Sequence, residues 1–347
     1  RGLASSVGVP FGVCDVARAM AGDEGVELTA EAMQLSEVSK TVAGGGFVYS
    51  RVDCISKQIG GLGLLAEYPF LRHLDLSENC IKDASPIGKL RHVLSLNLSS
   101  NAIPKLDWAA QELPHLLFLD LSKNQLQELP RLHMPALRRA DFRFNQISTC
   151  ADFQGHSTLQ TLRLSSNQLA SAAGLNKSPK LEVLELSENA LADLNDVYRL
   201  PCLSTLEISK NKLESLIDPW HEMAALKVLD VSQNAFADVS ALKPLEVMKE
   251  LRSLVVAGCP LEEQDGVNIR LEILIYQGQL QTLNGEEVTP EEKEEAKALH
   301  EKRVEEEAER LRQEEEARLE AEAAAAEASA AAEAEVLQEG EGQAAEE

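Results

Sequence analysis

The stretch LRHLDLSENCI, from Leu71 to Ile81, returns in altered form as VLSLNLSSNAI, from Val93 to Ile103. Both stretches place apolar residues and one asparagine at the same offsets. That asparagine then recurs along the chain in steps of 22, 23, 21, 22, 22, 22 and 23 residues. Such regular spacing establishes an internal repeat. The repeated asparagines are Asn79, Asn101, Asn124, Asn145, Asn167, Asn189, Asn211 and Asn234.

Each repeat follows L-x-x-L-x-L-x-x-N-x-L/I, the pattern of leucine-rich repeats of the 22-residue type. Leu74 and Leu76 alternate with His73 and Asp75, and this period of two predicts a short strand with one buried face. One unit cannot bury its leucines alone, so stacked units should lay their strands side by side in a parallel sheet. We therefore predict an α/β solenoid, a leucine-rich repeat arc with a C-terminal cap.

The repeated asparagine is predicted to be structural. Where the chain turns inward after each strand, its amide can bond backbone groups of adjacent turns. Those groups would otherwise be buried without a hydrogen-bond partner, at a cost of about 1–3 kcal/mol each. The sequence therefore predicts a ladder of eight asparagines.

Both ends of the array depart from the pattern. In LRSLVVAGCPL, which begins at Leu251, Cys259 takes the asparagine position, and the segment from Glu262 to Thr289 predicts a cap with a short helix and a last turn. In YSRVDCISKQI, from Tyr49 to Ile59, Lys57 takes that position, which indicates a degenerate first unit. The predicted divisions are 1–46, a partly irregular N-terminal extension; 47–285, the repeat domain with its cap; 286–339, a long charged helix; and 340–347, a disordered tail.

The C-terminal segment 286–347 is strongly acidic. It holds 23 acidic and 7 basic residues, a net charge of −16 out of −24 for the whole chain. Thr289 as N-cap and Pro290 at the first helical position precede a run of strong helix formers, which predicts a long acidic α-helix. Two arrangements remain open: a coiled coil, and a single solvated helix stabilised by pairs of Glu with Lys or Arg. The apolar stripe is thin and irregular: Leu299, Val304, Ala308, Leu311 and Leu319.

Composition and motifs argue against several classes of protein. The six cysteines have no regular spacing, so we expect buried thiols in a reducing compartment and no disulfide framework. No apolar run reaches the roughly 18 residues that span a bilayer, so we expect no membrane partner. Phosphate-loop, esterase and zinc-protease motifs are absent from the sequence. We expect no enzymatic activity and no catalytic, cofactor-binding or metal residues.

Alternate strand residues should form the concave face of the arc. This face is mainly acidic, which disfavours nucleic acid because phosphates need a positive stripe. At its centre, arginines and one aromatic residue lie amid acids, a composition typical of hot spots for a protein partner. The alternative is that Arg143 and Arg163 only neutralise carboxylates across neighbouring strands, namely Asp120, Asp141 and Glu185. The candidate partner-binding residues are Phe118, Asp120, Arg139, Asp141, Arg143, Arg163 and Glu185.

Three segments carry a resemblance to a known family: LTAEAM from Leu28, KTVAGGGFVYSRV from Lys40, and the run from Ile55 to Ile87 that leads into the repeats. Together with the repeats, up to about Glu301, they resemble the axonemal leucine-rich repeat proteins of radial spokes. The resemblance implies a scaffolding subunit in the spoke head of a cilium or flagellum. Such a subunit belongs to the cytoskeleton, binds other spoke proteins within a large hetero-complex and supports motility.

Two other functions remain open from the sequence. One is a dynein-associated leucine-rich repeat light chain or dynein-assembly factor. The other is a cytoplasmic or nuclear protein-binding adaptor, such as a phosphatase regulator. Composition alone permits either of them.

Overall fold

The computed structural model describes residues 25–40, 46–107, 113–216, 223–263 and 268–343. The chain divides into two compact units, Arg1–Val288 and Thr289–Glu347. The first unit contains the repeats and the second contains a long helix. The strands are β1 (Val26–Glu27), β2 (Gln34–Lys40), β3 (Phe47–Asp53), β4 (Ile59–Gly61), β5 (His73–Asp75), β6 (Ser95–Asn97), β7 (Phe118–Asp120), β8 (Arg139–Asp141), β9 (Thr161–Arg163), β10 (Val183–Glu185), β11 (Thr205–Glu207), β12 (Val228–Asp230), β13 (Ser253–Val255), β14 (Thr282–Leu283) and β15 (Glu286–Glu287).

Helical turns connect many of the strands. The two described α-helices are α1 (Ile269–Tyr276) and α2 (Pro290–Gln343). Tight 3-10 helices lie at Gly63–Glu67, Ser85–Lys89, Ala151–Phe153, Leu175–Lys177, Val197–Arg199, Val239–Val247 and Pro260–Glu263. No helix in the described ranges is both long and apolar enough to cross a bilayer.

Among the described strands, thirteen form one sheet, in the order β15-β14-β13-β12-β11-β10-β9-β8-β7-β6-β5-β3-β2. From β3 to β14 the neighbours run parallel, and equivalent residues of consecutive repeats pair directly, as Leu74 does with Leu96. The predicted leucine-rich repeat solenoid with a parallel sheet is confirmed. The sheet exists because each repeat buries its leucines only against the repeats on either side.

The core follows the repeat pattern. Leu162 and Leu164, like their counterparts in other repeats, are fully buried. The unit around β8 departs from the pattern because Ala140 takes a leucine position, but Phe142 takes the next one and is also fully buried. A smaller residue beside a larger one keeps the core volume nearly constant, which packed interiors tolerate well.

Each repeat turns sharply just before its asparagine. The residue at this place has a positive φ between 52° and 58° in eight consecutive repeats, although none of the eight is glycine. For an L-residue that conformation costs about 1–2 kcal/mol, so it needs a compensating interaction. The eight residues are Glu78, Ser100, Lys123, Phe144, Ser166, Glu188, Lys210 and Gln233.

Hydrogen bonds of the asparagines provide that compensation. Asn124 Nδ2 donates to the carbonyl oxygens of Leu98 (2.9 Å), Leu121 (3.1 Å) and Ser122 (3.2 Å), and its Oδ1 accepts from the Ile103 N–H (3.0 Å). The other seven asparagines form the same kind of bonds to their own turn and the preceding one. Each side chain therefore ties two repeats together where their backbone groups turn away from water.

The sheet extends into the predicted N-terminal extension. β2, within the segment expected to be partly irregular, pairs antiparallel with β3, so the sheet begins at Gln34, before the predicted start of the repeat domain at residue 47. Pairing satisfies the outer backbone edge of β3, which a degenerate first repeat would leave open. Residues 1–24 and 41–45 lie outside the described residues.

The observed helix also differs in extent from the predicted segment 286–339. Glu286 and Glu287 form β15, because Asn284 and Gly285 both have positive φ (53° and 82°) and close a two-residue hairpin onto β14. Helix α2 begins at Pro290, the first helical position that the sequence predicted, so residues 286–289 of the predicted helical segment precede the helix. It continues through Gly340 to Gln343, since no proline follows to stop it and one glycine costs a helix only about 1 kcal/mol. Residues 344–347 lie outside the described residues.

Helix α2 is stabilised by local contacts. Thr289 Oγ1 accepts from the Glu292 N–H (3.2 Å), and Glu292 Oε2 accepts from the Thr289 N–H (2.9 Å). This reciprocal capping satisfies two N-terminal donors. Further along, Lys302 and Arg310 pair with glutamates one turn away. The choice between a coiled coil and a solvated single helix stays a prediction.

Candidate functional site

An open groove of about 510 Å³ lies on the concave face over strands β6 to β10. The groove forms because short strands of successive repeats present their first and third side chains on the same face. Five of the seven predicted partner-binding residues line it: Phe118, Asp120, Arg139, Asp141 and Arg163. Arg143 and Glu185 adjoin the groove through ion pairs with two of these residues.

Phe118 and Arg139 form the exposed pair of the groove. They are partners in the register of β7 and β8, and the Arg139 guanidinium carbon lies 5.6 Å from the centroid of the Phe118 ring. The phenyl ring is 40% exposed. No ion pair joins Arg139 to any residue in the described part of the chain. A cation over an exposed ring gives a partner both apolar area and hydrogen-bond donors.

Arg143 and Arg163 are engaged differently. Arg143 Nη2 lies 2.7 Å from Asp141 Oδ2, and Arg163 Nε lies 2.7 Å from Glu185 Oε1. Cross contacts of 3.7 Å (Arg163 to Asp141) and 3.9 Å (Arg143 to Glu185) close a four-residue ion-pair cluster. The hydrogen bond from Arg143 to Asp141 raises the pKa of the Arg143 guanidinium. These contacts favour the interpretation that both arginines balance carboxylates of the same and neighbouring strands.

Asp120 is engaged less directly than the other two carboxylates. It forms no ion pair with any described residue, although the alternative interpretation of the sequence counted it among the carboxylates that Arg143 and Arg163 neutralise. The arginines lie closer to Asp141 and Glu185, and Asp120 Oδ1 instead accepts the Ser122 N–H at 2.9 Å. Asp120 is therefore held by its own turn, and its attraction to Arg143 is weaker than those of Asp141 and Glu185.

The far end of the concave face is acidic. Glu185, Glu207 and Asp230 are direct neighbours in the strand register. Burial raises the pKa of the Glu207 carboxyl, and the negative charges of Glu185 and Asp230 raise it further. A positive charge brought to this end would relieve that repulsion.

The described residues offer little for catalysis. They include no group of three or more His, Cys, Asp or Glu side chains that could hold a metal ion. Cys54, Cys150 and Cys259 are buried, and all five cysteines in the described ranges are free thiols. Burial raises the pKa of the Cys150 thiol to about 12, so this cysteine stays protonated and is not a nucleophile. Nothing in this part of the chain indicates a catalytic activity.

A second exposed feature escaped the sequence analysis. The rings of Phe70 and His92 stack with centroids 5.6 Å apart, and those of His92 and His115 stack at 6.5 Å. Each ring comes one residue before the first apolar position of its repeat, in three consecutive repeats. Aligning the repeats at that offset would have found the series.

Comparisons with known proteins agree with the repeat pattern. Residues 157–199 match the family profile for leucine rich repeats in two copies, and residues 69–85 match a profile for a single leucine rich repeat. The solved structure of a leucine-rich repeat protein from Leptospira interrogans is similar in fold, with a TM-score of 0.50 and 22% identity, covering 65% of this chain and 62% of that one.

Two curated relatives extend the similarity over most of the chain. Leucine-rich repeat-containing protein 23 from Bos taurus is 31% identical over 264 residues, which cover 76% of this chain and 76% of the relative. The protein of the same name from Homo sapiens is 30% identical over 274 residues, with 78% of each chain covered. At this identity and coverage, the chain belongs to the family of leucine-rich repeat-containing protein 23.

Proposed function

We propose that this protein is a non-enzymatic scaffolding subunit of the ciliary axoneme, located in the head region of a radial spoke. The observation that carries the proposal is sequence similarity to leucine-rich repeat-containing protein 23 over about three quarters of both chains. The segments before and within the repeats resemble radial-spoke leucine-rich repeat proteins, and that resemblance implies binding to other spoke proteins and a role in motility.

The concave groove is the proposed contact for one partner. Phe118 offers an exposed ring. Arg139 offers a cation and Asp120 a carboxylate, and neither forms an ion pair among the described residues. An arginine and an aromatic residue at the centre of a groove are typical of binding hot spots. The ion-pair cluster of Asp141, Arg143, Arg163 and Glu185 serves as a fixed wall of this groove.

Helix α2 is the proposed contact for a second subunit. It has 54 residues and would reach about 80 Å at 1.5 Å per residue. Val304, Leu311 and Leu319 are each more than half exposed, so a partner helix would gain apolar area along one side. The protein would then connect two other subunits of a large hetero-complex.

We also infer that the segment from Glu262 to Thr289, in the part that the structure describes, caps a solenoid of the 22-residue type. In support, Leu280 and Leu283 are fully buried, and α1 buries Leu271, Ile273 and Leu274. The Gln277 amide donates to the carbonyl oxygens of the preceding helical turn, including Met248 at 3.4 Å. These contacts give the last repeat the neighbour that a terminal unit needs.

The location of a tagged copy in a flagellated cell tests the main proposal. After detergent and salt extraction, the protein should stay on axonemes that have spokes and should be lost from a spoke-deficient strain. Retention without spokes but loss with missing dynein arms would favour the dynein-associated alternative. A soluble or nuclear pool would favour an adaptor and remove the axonemal function.

Variants separate the two proposed contacts. Phe118→Ala combined with Arg139→Glu should weaken incorporation, whereas Lys212→Glu, an exposed cation outside the groove, should not. Deleting residues 291–347 should leave a folded solenoid that incorporates poorly. Normal incorporation of the groove variant would overturn the concave contact and leave the spoke location standing.

A further inference from the structure

The start of the strands in the first repeats carries an exposed cluster that the concave groove does not use. We define the strand-start patch as Phe70, Arg72, Arg91, His92, His115 and Arg138. The first ring is 45% exposed, and the other five side chains are also exposed. The ring stack described above runs through three consecutive repeats, and Arg72 and Arg91 lie within two residues of its rings in the chain.

Backbone hydrogen bonds fix the spacing of its arginines. The Leu94 N–H donates to the Arg72 carbonyl, the Leu117 N–H to the Leu94 carbonyl, and the Arg138 N–H to the Leu117 carbonyl, at 2.7 to 3.0 Å. Arg72 and Arg138 therefore hold equivalent positions three strands apart, about 14 Å at the usual strand spacing. Leu94 and Leu117, both partly exposed, lie between them.

The arginines of the patch are available to a partner. No ion pair joins Arg72, Arg91 or Arg138 to any residue in the described ranges, whereas Arg143 and Arg163 of the concave face are both paired. The chain as a whole carries a net charge of −24, but 16 of those negative charges come from residues 286–347. At physiological salt, charges more than about 8 Å apart are largely screened, so the net charge of the chain does not set the charge that a ligand meets at the patch.

We propose that the strand-start patch binds an extended, acidic segment of a partner protein. Guanidinium groups bind carboxylates through paired hydrogen bonds. Leu94 and Leu117 hold the strand positions between the two arginines, and the stacked rings, each two residues earlier in its repeat, add apolar area. An extended chain advances about 3.3 Å per residue, so two carboxylates roughly four residues apart would meet Arg72 and Arg138. The apolar residues between them would lie on the rings.

Nucleic acid is the less favoured ligand. Its phosphates follow one another at close intervals and need a long positive stripe, while this patch offers three arginines beside partly exposed leucines. No residue of the patch lines the groove, so its partner can be tested independently of the proposed spoke function.

Fluorescence anisotropy with the full chain tests the proposal. The probe is a short labelled peptide with two glutamates four residues apart and leucines between them; its matched probe has glutamine in place of glutamate. We expect the glutamate peptide to bind, the glutamine peptide to bind at least about tenfold more weakly, and the difference to shrink as sodium chloride is raised.

Paired variants locate the binding surface. Arg72→Gln with Arg138→Gln should weaken binding about tenfold, and Phe70→Ala with His92→Ala should weaken it as well. Lys180→Gln with Lys227→Gln removes the same charge from exposed positions of later repeats and should change affinity less than twofold. All six positions are on the surface, and circular dichroism melting curves would check that the variants stay folded.

Three outcomes would overturn the proposal. The first is no binding of the glutamate peptide at millimolar concentration, and the second is equal binding of the glutamine peptide or of the Arg72→Gln, Arg138→Gln variant. The third is tighter binding of a single-stranded oligothymidine than of the peptide, which would identify a nucleic-acid surface instead.

Discussion

The solenoid and helix α2 are stabilised over different distances along the chain. In the solenoid, a side chain such as Asn145 bonds backbone groups up to 24 residues away, and each leucine packs against neighbouring repeats. In α2, the described ion pairs join residues three or four apart. A substitution in the solenoid should therefore weaken at least two repeats, whereas one in α2 should act within a turn.

The largest difference should appear on truncating a core leucine. Leu164 is fully buried, and Leu164→Ala should lower the free energy of unfolding of the solenoid by about 2–5 kcal/mol, since it removes apolar contacts and leaves a cavity. Leu311→Ala, at an exposed site of α2, is the matched control and should cost less than about 0.5 kcal/mol. Urea denaturation measures both; equal costs would contradict the assigned core.

A somewhat smaller effect is expected at the asparagine ladder. Asn145→Ala removes an acceptor for the Leu126 N–H and a donor to the carbonyls of Leu121 and Phe142, so it should cost about 2 kcal/mol. Asn176→Ala breaks one bond to the side chain of Asp196 and should cost less than half as much. Thermal unfolding of the two variants compares Asn145, which bonds buried backbone groups, with Asn176, which bonds only a side chain.

A pH-dependent difference should separate the two units. His156 is buried; its Nε2 lies 3.1 Å from the Met134 carbonyl oxygen, and its Nδ1 accepts the Thr158 N–H. Burial lowers the pKa of His156 below the ordinary 6.5. The unfolded chain then binds the proton more readily, so solenoid stability should be full above pH 6.5 and fall as the pH drops toward the lowered pKa.

Unfolding measured from neutral to mildly acidic pH would check that slope. His156→Gln should flatten the slope without abolishing folding, because glutamine has no proton to gain. Helicity of α2, followed by circular dichroism, should not change with it. An unchanged slope in the variant would assign the effect to other groups.

The smallest effect belongs to the helix. Lys302→Gln removes an exposed pair with Glu306, 3.7 Å away, and should destabilise the helix by about 0.3–0.5 kcal/mol. Amide hydrogen exchange should show faster exchange near residue 302 and no change in the repeats. Faster exchange throughout the solenoid would contradict the expectation that a substitution in α2 acts only within a turn.

The sequence was sufficient for the repeats because their pattern has both a period and a chemical reason. The leucine offsets placed the strands, and the asparagine spacing placed the turns that the hydrogen bonds later explained. The boundaries were less predictable: β2 has only weak alternation, and the Asn284-Gly285 hairpin turns Glu286 away from a helix that its composition favours. Where such a strand forms depends on which backbone edge of the sheet is free to pair.

The candidate site was likewise predictable only in part. Residues on the concave face could be named from strand alternation, and Phe118 and Arg139 lie together there. Whether an arginine is paired could not be read from the pattern, since Arg139, Arg143 and Arg163 look alike in sequence and only the first lacks an ion pair among the described residues. The aromatic series of the strand-start patch could be found by aligning the repeats in sequence, but that its rings stack at 5.6 and 6.5 Å required the structure.

By itself, the sequence determined the leucine-rich repeat solenoid, its asparagine ladder and the acidic helix, because periodic burial and helix propensity act over short stretches of chain. The tertiary structure decided where the sheet begins and ends, which carboxylates the arginines contact and which cations stay available. Those outcomes depend on distances between residues about 22 positions apart, and only stacking of the repeats brings such residues within a few ångströms of one another.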